Sequence, residues 1–158
     1  MRVLVRVLIV SWVAASLAAT QDRARLWALG ERALWADTVG QYPEKPRPWV
    51  NLGRQYALDG DDALAADAYE RALAASVQSE RSMDEQIFGR GLAAANLAIL
   101  RCTADHDVEA ALATVTPIMA ATIDPNRTQL IPTDVRKVYV WLQQRKATDG
   151  CGAPALSF

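Results

Sequence analysis

A chain of 158 residues, half of them hydrophobic, holds one domain of ordinary size with material for a core. Its formal charge of −1 is unlike that of a nucleic-acid surface, which is basic over a face or stripe, so no nucleic-acid partner is expected. No stretch alternates apolar and polar residues for long between turn signals, while Ala-rich runs such as 63–75 favour helix, so the fold class predicted is all-α.

Residues 1–20 read MRVLVRVLIVSWVAASLAAT, with an uninterrupted apolar core over 7–19. That core has the length of a signal-peptide h-region, with Ser16 and Ala18 as small residues before a cleavage point. Counted from Val3, with Arg6 reaching toward head groups, the same stretch just spans a bilayer, which needs about 20 residues. A buried first helix of a soluble protein is the third reading. Arg2 and Arg6 stand on one side and Arg23, Arg25 and Arg32 on the other, so charge does not orient the segment.

Residues 21–147 read as one helical domain. Its first element is an amphipathic helix from Arg23 to Val39, ending before Pro43. Residues 46–79 then carry Trp49-x2-Leu52-Gly53-x2-Tyr56, followed by Ala65-x3-Tyr69 and Ala72. Trp49, Leu52 and Tyr56 share one helix face, and Pro48 is tolerated in a first helical turn. Gly53 admits a neighbouring helix, Gly60 stops the first helix, and Asp61 or Asp62 caps the second. This pattern resembles the tetratricopeptide (TPR) repeat, which implies antiparallel helix pairs stacked as a short solenoid. Val77 stands where the repeat would place a Pro, so the exit is atypical.

A degenerate second repeat is expected over about 83–124. Asn96-Leu97-Ala98 echoes Asn51-Leu52-Gly53, and Ala110 lies 13 residues after Leu97, as Ala65 does after Leu52. The shift of 45 residues between Leu52 and Leu97 exceeds the usual 34 by three helical turns, which keeps the packing phase. Ser82-Met83-Asp84-Glu85 is a capping-box pattern, predicting a long helix from about Met83 to Cys102. Pro117 is expected to interrupt its partner. A closing helix is predicted over about 133–146, capped by Thr133, with Val135, Val138, Tyr139 and Leu142 inward and Arg136, Lys137, Gln143 and Arg145 outward. Residues 148–158 read as a flexible tail.

The chain also resembles the C-terminal end of bacterial polytopic membrane proteins that carry a glycosyltransferase-like region, of protein O-mannosyltransferase type, followed by TPR repeats. The shared pattern is the hydrophobic segment from Leu8 to Ala19, then Arg23, Trp27, Leu34-Trp35-x-Asp37-Thr38-Val39, Pro43, Arg47 and Asn51-Leu52-Gly53. The family's membrane catalytic region is missing from this sequence, so its activity does not carry over. The resemblance implies a single-pass, membrane-anchored TPR domain on the extracytoplasmic side. The alternative is a secreted or periplasmic form after signal cleavage.

Catalytic groups are not expected. Asp105-His106-Asp107 reads as an inter-helix turn whose acids cap the next helix, and Asp59-Gly60-Asp61-Asp62 lacks the ligand spacing of a calcium loop. No phosphate loop, nucleophile elbow or zincin helix is present, so no enzyme, cofactor or metal is predicted. Cys102 and Cys151 lack the spacing of a zinc site, and whether they form a disulfide stays open because the compartment does. Trp27, Trp35, Trp49 and Trp141 read as packing residues. In a TPR stack the first helix of each pair lines a groove for an extended peptide or a partner helix. By that likeness the groove positions are Arg47, Val50, Asn51, Arg54 and Leu58 in the first repeat, and Leu92, Asn96 and Ile99 in the second. Asn amides can grip a peptide backbone, and the two Arg can pair with a carboxylate. The function expected is a non-catalytic protein–protein interaction module, with an accessory or truncated part of a membrane glycosyltransferase as the alternative. About three repeats are normally needed for stability, so the chain is expected to lean on another subunit or on a copy of itself.

Overall fold

The computed structural model describes residues 27–78, 83–121, 133–148 and 150–151. Six helices and no strand occur among them, as expected of an all-α chain. They are α1 (residues 27–41), α2 (Pro46–Asp59), α3 (Asp62–Gln78), α4 (Met83–Thr103), α5 (Val108–Ala121) and α6 (Thr133–Ala147). The expectations for residues 1–20 lie outside the described residues, as do the capping-box side chains ahead of α4.

The chain divides into two units, Met1–Leu34 and Trp35–Phe158. Of the first, residues 27–34 are described; they are helical, and Trp27 is 73% exposed, which corrects its reading as a packing residue. Leu29 and Leu34 are exposed as well. The second unit holds the core. Helices α2 and α3 pack together, as do α4 and α5; α4 also receives α2, α3 and α6, and α6 lies on α5.

The turn between α2 and α3 follows from Gly60. Its φ of 82° is left-handed, which suits a residue without Cβ, and the N–H groups of Gly60 and Asp61 donate to Ala57 and Tyr56 carbonyls at 3.2 and 2.9 Å. The Asp61 carbonyl then accepts the first bond of α3, from Ala65 N–H. With only two residues between them, the helices must fold back on each other. Gly53 sets how closely: a Cβ there would lie 2.6 Å from Tyr69 Cε1.

The second hairpin repeats this design with a four-residue connection, 104–107, and a register one residue longer. At a shift of 45, the buried Pro46, Pro48, Val50, Leu52 and Gly53 of α2 match the buried Gly91, Ala93, Ala95, Leu97 and Ala98 of α4. After the turn the shift is 46: Ala65 and Tyr69 match the buried Ala111 and Val115. Ala111, not Ala110, is therefore the counterpart of Ala65. The cause is His106, which takes the left-handed role of Gly60 at φ 56° one position later, followed by Asp107, whose N–H donates to the Arg101 carbonyl. Ala110 instead gives its N–H to Asp107 Oδ1 at 2.9 Å, completing the N-cap of α5.

Pro117 does not interrupt α5, which runs to Ala121. It occupies the phase of the exposed Arg71 in α3, so its ring faces solvent while Val115, Ile118 and Met119 pack inward. Burial of that face holds the helix despite the lost N–H. Thr133 is the first residue of α6 rather than a residue ahead of it.

Small residues allow the close approach. One core cluster joins Val50, Ala65, Tyr69, Ala72, Ala93 and Leu97; the other joins α4 residues Ala94, Ala95, Ala98 and Cys102 to α5 and α6. Leu73 packs against both. Across α3, α4 and α5, the half-buried Arg101 donates to Glu70 Oε1 at 3.0 Å and to Thr114 Oγ1 at 2.6 Å. The expected flexible tail is corrected at its start: Cys151 is buried in the second cluster and disulfide-bonded to Cys102, with Cα atoms 5.0 Å apart.

Candidate functional site

Two stripes on helices that pack together form the candidate site. On α2, Arg47, Asn51, Arg54 and Leu58 recur at spacings of four, three and four, which keeps them on one helix face. Arg47, Arg54 and Leu58 are exposed, Leu58 at 76%, and Asn51 is half-buried. On α4 the 45-residue shift places Leu92, Asn96, Ile99 and Thr103 at the equivalent positions. The first three are half-buried and Thr103 is exposed. Because α2 packs against α4, the structure brings these two elements side by side.

Val50 is a correction. It is only 3% exposed and belongs to the core with Tyr69, Ala93 and Leu97, so it supports the stripe from beneath and is not open to a ligand. Its position is one residue from Asn51, a rotation of about 100°, which turns it into the helix packing. Leu92 and Ile99 have dual roles: Leu92 packs against the cluster of Val50, and Ile99 against the cluster of Cys102.

None of the eight stripe residues is acidic. Among the described residues, no hydrogen bond or ion pair engages the side chains of Arg47, Asn51, Arg54 or Asn96, and no buried side-chain N or O lacks a partner. The two amides therefore reach water and keep their donors and acceptors available. Beneath the stripe, burial pushes the Tyr69 phenol up to about 12, with the positive charge of Arg54 working against that rise.

Trp49 is half-buried and fixed from two sides, as a packing residue. Its Nε1 donates to the Pro43 carbonyl at 2.9 Å, and the Arg71 guanidinium lies 5.2 Å from its ring centre. Trp141 packs against the second cluster with Arg145 over its ring. His106 is exposed in its turn beside the capping Asp107. Among the described residues, no three His, Cys, Asp or Glu side chains come together to hold a metal.

Sequence reasoning missed Thr103, which the 45-residue shift applied to Leu58 would have found. It also missed the Arg101–Glu70–Thr114 bridge, for which no local pattern exists. No protein-family model matches the chain, and no curated protein or solved structure matches it either.

Proposed function

We propose that this chain is a non-catalytic protein–protein interaction module that takes an extended, acidic peptide segment of a partner along the α2 and α4 stripes. The observation that carries the reading is the pair of equivalent, accessible stripes with uncommitted amide and guanidinium groups and no acid among them. Asn51 and Asn96 would bond the peptide backbone, Arg47 and Arg54 its carboxylates, and Leu58 an apolar side chain. The repeated hairpins and the contact order α2, α3, α4, α5, α6 support a TPR-type solenoid, with α6 as its closing helix.

The domain is proposed to face an extracytoplasmic compartment, anchored by residues 1–20. A buried disulfide supports this, because cytosolic reductants keep thiols reduced. No helix among the described residues is long and apolar enough to cross a membrane, so the anchor is assigned to the N-terminal sequence alone. Carbonate extraction and protease accessibility test the placement: release as a shortened soluble species would replace the anchor with a cleaved signal.

A panel of peptides of graded charge, titrated against the full chain, tests the binding. Acidic peptides are expected to bind, less tightly as salt rises, with Asn51→Ala or Arg54→Glu weakening them about ten-fold or more. Equal binding of acidic and basic peptides, or indifference to both variants, would refute the reading.

A further inference from the structure

We infer that the Cys102–Cys151 cystine is a redox-operated latch that holds α6 against the rest of the helical stack. Helix α6 packs on α4 and α5. Val135, Val138 and Leu142 are its fully buried side chains, with Tyr139 and Trp141 partly buried beside them. An exposed ion pair, Lys146 to Glu109 at 2.8 Å, adds little in water. Its opposite face presents Arg136, Lys137, Gln143 and Gln144 to solvent. Docking it costs the entropy of ordering the helix.

The cystine removes much of that cost. It joins the last turn of α4 to the chain just beyond α6, so α6 is tied at both ends: through the chain to α5 and through sulfur to α4. Cys102 and Cys151 themselves sit in the cluster that α6 covers, together with Ala94, Ala98, Ala111 and Val115. By contrast, α2 to α5 hold one another through two hairpins and the Arg101 bridge, none of which involves α6. Loss of the bond is therefore felt first at α6.

The opening reaction needs a dithiol reductant. Its thiolate attacks Sγ of Cys151, the less buried of the two residues, and Cys102 leaves as a thiolate that takes up a proton. The second thiol of the reductant then displaces Cys151, leaving two protein thiols and a disulfide on the reductant. Because Ile99 packs against the same cluster, undocking α6 also loosens one residue of the accessible stripe. The latch does not depend on what that stripe binds.

Amide hydrogen exchange on the oxidised full chain in detergent, before and after dithiothreitol, is the test, with thiol alkylation and intact mass to follow reduction. Reduction is expected to speed exchange over 133–147 by about ten-fold or more while 50–75 keeps its rates, with recovery on reoxidation. Cys151→Ser in the full chain should show the same pattern without reductant; if it does not accumulate, the wild-type reduction decides. Unchanged protection of 133–147, simultaneous loss across all helices, or a bond that yields only after denaturant unfolds the chain would each overturn the latch.

Discussion

Gly53 of α2 lies against the Tyr69 ring of α3, and the glycine is needed for its missing Cβ rather than for backbone freedom. Gly53→Ala would press a methyl against a ring enclosed by Val50, Ala65, Ala72, Ala93 and Leu97. The ring has little room to retreat, so the substitution should destabilise by about 1–3 kcal/mol despite the better helix propensity of Ala. A urea midpoint that rises would show that the helices separate cheaply. Tyr69 makes a second prediction, in pH. Its folded pKa of about 12 lies above the ordinary value of 10.0, so its contribution is fully present below pH 10 and is lost as pH climbs through about 12. The shift corresponds to roughly 2–3 kcal/mol. Comparing chemical denaturation of wild type and Tyr69→Phe across that range isolates this residue from other groups; parallel pH curves would count against it.

At the scale of elements, α5 shows packing overriding local preference. Pro117 deprives the Ala113 carbonyl of its usual donor, yet the helix continues because its inward face is buried. Since the proline ring is exposed, Pro117→Ala should restore the bond without disturbing the core and stabilise the protein by about 1–3 kcal/mol. Thermal unfolding checks this, and a lower midpoint would mean that proline's restriction of the unfolded chain outweighs the missing bond. The helix ends show the opposite case, in which local chemistry prevails. Gly60 and His106 both adopt left-handed backbone, and Asp61 and Asp107 both open the following helix. The stop at Gly60 was legible, with the opening of the next helix left between Asp61 and Asp62. The one-residue offset at His106 was not, because any polar residue in that run could have taken the left-handed position.

For the whole molecule, the two core clusters meet at Leu73, which packs against both. Residues 35–151 should therefore unfold in one cooperative transition when the cystine is intact. Leu73→Ala is expected to cost about 1–3 kcal/mol, less than a fully buried leucine, with the denaturant slope unchanged. Two resolved transitions would show that the clusters are independent cores.

Composition and pattern alone determined that the chain is helical and where α2, α3, α4 and α6 run, while the α2 positions Arg47, Asn51, Arg54 and Leu58 came from the likeness to a TPR repeat. Those features depend on residues a few positions apart: capping groups, a left-handed glycine and apolar spacing near 3.6. Only the tertiary structure decided the rest. Burial of Val50, survival of α5 through Pro117, the register of Ala111, the Arg101 bridge and the union of Cys102 with Cys151 all depend on groups distant in sequence. Such contacts form when helices reach a common core, and local propensity carries no information about which helix will be opposite.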